Sequence, residues 1–209
     1  MTIAYAVAAL FVSFVLLGLG NTVGYHRLLT HRAFRARPGA RVVLTLLGAM
    51  HSGPPCAWVG LHRYHHMNSD REDDPHTPTR GFWWGHCGWL MGTGNPLLCL
   101  LFALSGFGQQ ARLLVHDLMR VVGRNPPTWR QLCPDLWKEP VMRWLDVPGV
   151  MPLQFAAQVA VAWNIGSWWG VAWLWALHLV LTNGSWAVNS VCHWSSFGEQ
   201  RFDTGEGSR

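Results

Sequence analysis

The chain has 209 residues, half of them hydrophobic, and only 13% are charged, against about 25% in an average soluble domain. That balance excludes a disordered chain and argues against an ordinary soluble enzyme. The formal net charge of +5 comes almost wholly from arginine, with Lys138 the only lysine; basic residues beside long apolar runs point to a membrane surface rather than to nucleic acid.

The first apolar run extends from Thr2 to Thr22, with no charged residue before Arg27. About 20 such residues span a bilayer. The run lacks the basic start and the small-residue cleavage site of a signal peptide. Arg27, Arg32, Arg35, Arg37 and Arg41 follow at once, which predicts a cytoplasmic C-terminal end for this span. Val42 to Met50 is too short to span and is broken by Gly53, Pro54 and Pro55. Gly81 to Gly108 is Gly-rich, with Trp83, Trp84 and Trp89 near its start, and both stretches read as interfacial or partly buried helices. Between Ala111 and Asp146, four prolines (Pro126, Pro127, Pro134, Pro140) predict short helices. No Asp, Glu, Lys or Arg occurs from Val147 to Gly198, a length sufficient for two spans, with Asn164, Gly166 and Ser167 as the turn between them.

The predicted fold is therefore an all-α integral membrane protein, a transmembrane helix bundle with a cytoplasmic helical cap. The spans fall at about 3–23, 148–165 and 168–190, and a cytoplasmic region covers about 26–146. The five cysteines are scattered without a CxxC, which argues against a disulfide framework and a thiolate zinc knuckle.

Most of the candidate chemistry is imidazole. His26 and His31 lie in HRLLTHR, His62, His65 and His66 in HRYHH, and Asn189 and His193 in NSVCH. Helical spacing predicts that His62, His65 and His66 point the same way, and that Asn189 and His193 lie one turn apart. His26 and His31 are five apart, about 140° around an ideal α-helix, so they converge only where the helix ends or distorts. Six histidines exceed the needs of one four-coordinate zinc and suggest two metals held mainly by nitrogen. Carboxylates are nearly absent from the apolar helices, and there is no HExxH, GxSxG or GxGxxG. His51, His86, His116 and His178 stand alone and read as amphipathic surface.

Those motifs resemble the membrane-bound fatty acid desaturases of the stearoyl-CoA and bacterial Δ9 type. GYHRLLTHRAF is similar to the first histidine box (HxxxxH), and GLHRYHHMNSDREDDPHTPTRGFWWGHCGWL to the second (HxxHH) with its D-PH and RGF-W-H-GW tail. VNSVCHWSSFGEQRFDTGEGSR resembles the family's stretch after the last span, and PDLWKEPVMRWLD an earlier segment. The resemblance implies a single desaturase domain over 1–209 that inserts a cis double bond, at Δ9, into a long acyl chain on CoA or a lipid. It implies two non-haem irons and O2 as oxidant. His26, His31, His62, His65, His66 and His193 would hold the metal, with Asn189 reaching it through water. Electrons would come from a separate ferredoxin or cytochrome b5 with its reductase. The expected location is a bacterial plasma membrane, with the site facing the cytoplasm and lipid as neighbour. The family's third box (HNxHH) belongs beyond the closing SR, so the chain, ending at Arg209, reads as a fragment. A related di-iron hydroxylase and a non-catalytic metal-binding relative are the alternatives, the flanks of the boxes favouring a desaturase.

Overall fold

A computed structural model describes residues 3–69, 71–123 and 129–192. Every regular element among these residues is helical. The first helix, α1, runs over Ile3–Leu19 and continues without a break as a π-wound segment, Gly20–Thr30. The predicted end of the span near residue 23 is thus passed, and the apolar stretch Val7–Thr30 is one of two helices among the described residues long and apolar enough to cross a membrane. The other is Val150–Val191, here α9.

Between them lie seven shorter helices. Helix α2 covers Pro38–Ser52 and α3 covers Pro55–Asn68, both opening with proline in the first turn, where its missing N–H costs nothing. Gly53, at φ +85°, and Pro54 separate them and bend the pair by 81°. After the loop residues 71–77 come a 3₁₀ turn (Pro78–Arg80), a π-turn (Trp84–Gly88) and the short α4 (Trp89–Met91). Then follow α5 (Pro96–Leu104), capped by Asn95, and α6 (Gly108–Val121). A 3₁₀ turn (Trp129–Leu132), α7 (Pro134–Trp137) and α8 (Pro140–Leu145) complete the proline-rich stretch with the short elements its sequence predicts.

Helix α9 is two arms. Ser167 has φ 51° and ψ −135°, a helix break at the turn the sequence predicts. The arms fold back on each other: Gln158 and Phe155 on the first meet His178 on the second, and Trp163 packs on Trp168 across the turn. Helices α1, α2 and α9 join through Leu17, Leu47, Leu177 and Leu181. A buried polar tie crosses the same three: Asn21 donates to Ser185 Oγ at 2.9 Å and accepts from Ser52 Oγ at 3.1 Å. The π-wound segment lies against α2 with almost no gap, since a Cβ on Gly20 would sit 2.3 Å from the Gly48 backbone nitrogen. Tyr25, fully buried, ties this segment to the α2–α3 corner by donating to the Gly53 carbonyl. The outward faces of α1, α5 and α9 carry exposed apolar side chains such as Phe11, Leu101, Ile165 and Trp169, a surface suited to lipid.

Candidate metal centre

The distortion that HxxxxH requires is the π-winding itself. In a π-helix the backbone bonds run from i to i+5, so residues five apart share a face. The His31 N–H bonds the His26 carbonyl at 3.0 Å, and their Nε2 atoms approach to 2.9 Å. Across from them, α3 presents His62 and His66 with Nε2 atoms 3.1 Å apart, the one-turn pair its i, i+4 spacing predicts. The His26 and His62 rings are 4.9 Å apart, and the His31 and His66 rings 4.6 Å. One nitrogen from each of the four lies within 4.8 Å of the others. Burial, then the neighbouring imidazoles, push the His62 pKa well below its ordinary value, so this ring is neutral at physiological pH. Four imidazole nitrogen donors suit a first-row divalent metal such as iron.

His65 departs from the shared face. Successive helix residues are about 100° apart, so His65 cannot follow His66 toward the π-wound segment. Its Nδ1 engages Asp74 Oδ2 at 2.9 Å, and Asp74 Oδ1 lies 3.5 Å from His76 Nδ1. All three side chains are buried, with Asp74 only 1% exposed. Asp74 also accepts the His76 backbone N–H, a local turn two residues long. His65, Asp74 and His76 form a second set able to hold a metal. Asp74 and His76 went unassigned in the sequence reading, where D-PH counts only as a flank; the Asx-turn is the signal that marks them.

Arg63, between these histidines on α3, fixes the helix from behind. It makes two bonds to Asp135, at 2.7 and 3.0 Å, and donates to the carbonyls of Leu29 and Leu132. Burial acts to raise the Asp135 pKa, but Arg63 and Arg32 outweigh it and hold the carboxyl at about 2.

A cavity of about 420 Å³ runs beside both sets. His26 and His62 line it from the first, His76 from the second, and half-buried Asn189 from α9. The rest of its wall is mainly apolar, with Phe14, Trp58, Trp89, Leu90, Leu181 and Trp186. His193, the last sequence-predicted ligand, lies outside the described residues.

Three of the lone histidines are not surface. His51, His86 and His178 are buried. His178 accepts from Gln110 at 3.1 Å and bonds Gln158, joining α6 to both arms of α9. His86 bonds Ser190 and Asn183, fixing the π-turn to α9. For His86 and His178, burial between helices with polar partners overrides the isolated position in the sequence that suggested an amphipathic face. His116 is half-buried.

Comparison with known proteins adds to this geometry. No family model matches the chain. An sn-1 stearoyl-lipid 9-desaturase from Anabaena variabilis is 31% identical over 91% of this chain and 59% of its own length. Over nine tenths of its length the chain is thus similar to a fatty acid desaturase. An acyl-CoA 5-desaturase from Anemone leveillei is also 31% identical, over 90% of this chain and 49% of that desaturase. A palmitoyl-monogalactosyldiacylglycerol delta-7 desaturase from Arabidopsis thaliana is 29% identical over 98% and 47%. The chain thus spans about half to three fifths of the length of these desaturases. At nearly equal identity they differ in acyl carrier and in double-bond position.

Proposed function

We propose that this chain carries the metal centre of an acyl desaturase that introduces a cis double bond, at Δ9, into a long acyl chain on a lipid or on CoA. The observation that carries the reading is the convergence of His26, His31, His62 and His66 beside a mainly apolar cavity. The names of two relatives, both lipid 9-desaturases, support the position and the lipid carrier.

His26, His31, His62 and His66 would hold one iron and His65 another, with His193 and Asn189 completing the set. When bound, the di-iron centre supplies the oxidising power, from O2 and two electrons, that removal of hydrogen from an unactivated methylene needs. The protein's own work is positioning. The apolar wall takes the hydrocarbon chain, and Trp58, Trp89 and Trp186 exclude water from it. Asp74 accepts from His65 Nδ1, which fixes the tautomer and puts the ring's lone pair on Nε2, 3.5 Å from Ser69 Oγ. Asn189 offers a neutral polar contact at the cavity edge, suited to holding a water. Helices α1 and α9 form a membrane bundle with the histidines at its cytoplasmic end, as the arginines after the first span favour. The electron donor is a separate ferredoxin or cytochrome b5.

The test measures iron content and acyl products in cells making the protein with a ferredoxin and its reductase. A monounsaturated cis product, lost in His62→Ala, is expected. A hydroxylated product would assign the hydroxylase chemistry instead. Bound iron with no altered acyl chain would leave a metal-binding protein and overturn the reading.

A further inference from the structure

A second cavity, of about 500 Å³, lies on the other side of the π-wound segment. Leu28, Leu29, Phe34 and Leu136 give it an apolar floor, while Arg32, Arg35 and Arg41 stand on its wall with Asp135 as the one acid among the lining residues. Arg41 is matched by Glu139, at 2.6 Å. Asp135 is shared between Arg32, at 2.8 Å, and Arg63, at 2.7 Å. Four guanidiniums, those of Arg32, Arg35, Arg41 and Arg63, therefore meet two carboxylates, and two positive charges are left over. Arg35 is exposed and has no acidic partner among the described residues.

The backbone adds to the same field. Helix α2 begins at Pro38 directly beside this wall, with no side-chain cap and no acid in its first turn. Space is open at Gly39, where an added Cβ would meet nothing within 4 Å. The positive end of the helix dipole, between the lining residues Ala36 and Arg41, thus adds to the charge of an arginine-rich hollow. Arg32 itself has φ 52°, a conformation costly for a side chain of this size, adopted where the chain leaves the π-wound helix and turns toward Asp135.

Guanidinium forks match the oxygens of a phosphate, and an apolar floor beneath them matches hydrocarbon. Both lie at the end of the apolar stretch Val7–Thr30, the depth at which a bilayer presents its headgroups. We propose that this cavity binds the phosphate of a membrane glycerophospholipid, with Arg35 and Arg32 on the phosphate and the start of its acyl chains on Leu28, Leu29 and Leu136. The site is separate from the histidine cavity and does not rest on the desaturase reading.

The purified protein in non-ionic detergent is titrated with dioctanoyl phosphatidic acid, with dioctanoylglycerol, which lacks the phosphate, and with coenzyme A, a soluble phosphate carrier. Phosphatidic acid is expected to bind, and dioctanoylglycerol not to. Loss of one charge-assisted contact in Arg35→Gln should weaken binding about tenfold or more, and Arg35→Lys less. Arg71→Gln, exposed and away from the cavity, should bind as wild type. A thermal melt shows that each variant is folded. Arg35-dependent binding of coenzyme A in place of phosphatidic acid would keep the phosphate chemistry and overturn the lipid as its source. Failure of both phosphate ligands to bind, or equal binding by Arg35→Gln, would overturn the site.

Discussion

On one side of α3, His62 and His66 meet two more imidazoles from the π-wound segment; on the other, His65 meets the carboxylate of Asp74 and the ring of His76. The first set contains nitrogen donors alone and is partly open, while the second is buried with a carboxylate at its centre. The difference concerns when each site becomes ordered. Asp74 fixes the tautomer and direction of His65 in the folded protein before any metal arrives. The four-histidine set is made of imidazole nitrogens alone, a donor type that suits a first-row metal.

The largest effect should separate the two sets. His62→Ala removes one of four donors and is expected to abolish metal uptake at the first set while leaving the His65–Asp74–His76 cluster folded. Iron or cobalt bound per protein, with a thermal melt as control, checks this. Loss of all metal in that single variant would mean that the two sets act as one site.

Next, Asp74→Asn keeps the shape but removes the charge that orients His65. Outer-shell changes of this kind cost about 10- to 100-fold in metal affinity. The expected outcome is weakened binding of one metal equivalent, read by titration with cobalt, with the other equivalent unchanged. Equal weakening of both would erase the distinction between the sets.

Gly20→Ala tests the scaffold of the first set alone. Its Cβ would meet the Gly48 backbone at 2.3 Å, and backbone cannot rotate away as a side chain can. A loss of about 1–3 kcal/mol is expected from overpacking, with the first set disturbed before the second. Chemical denaturation and metal titration of the same variant check both halves.

The smallest effect is one of pH. Asp135 is held at about 2 in the folded chain, below its ordinary value, chiefly against burial by Arg63 and Arg32. A carboxylate depressed in this way contributes stability that is present above pH of about 4, the unfolded value, and is lost as pH falls toward about 2. Arg63→Ala should reduce that acid sensitivity, leaving the part due to Arg32, and it also strands the Leu29 and Leu132 carbonyls. Melting temperature against pH for both proteins measures it.

Much of this was legible in the sequence, for reasons of period and charge. The i, i+4 pair in HRYHH fixes His62 and His66 on one face whatever surrounds them. The turn at Ser167 was readable because charge-free sequence of that length must fold back, and the short helices before α9 because proline imposes them. His65 was misplaced because i+3 and i+4 are neighbours of i but not of each other. Asp74 and His76 lie in a loop, where no period marks them. His51, His86 and His178 looked like surface because burial depends on partners far along the chain, such as Gln110 for His178 and Ser190 for His86.

The five-residue interval between His26 and His31 bears on more than the two rings. An ordinary α-turn would bring together histidines four apart just as closely, so the extra residue is not needed for the pair. What the wider turn does is absorb it. Four residues of an α-helix turn through about 400°, and five residues of a π-turn close on the same face, so the helix on either side keeps its phase and Leu17 stays against α9. The box acts as an expansion joint between the apolar shaft and the polar head: the extra residue is taken up in the winding and does not twist the shaft.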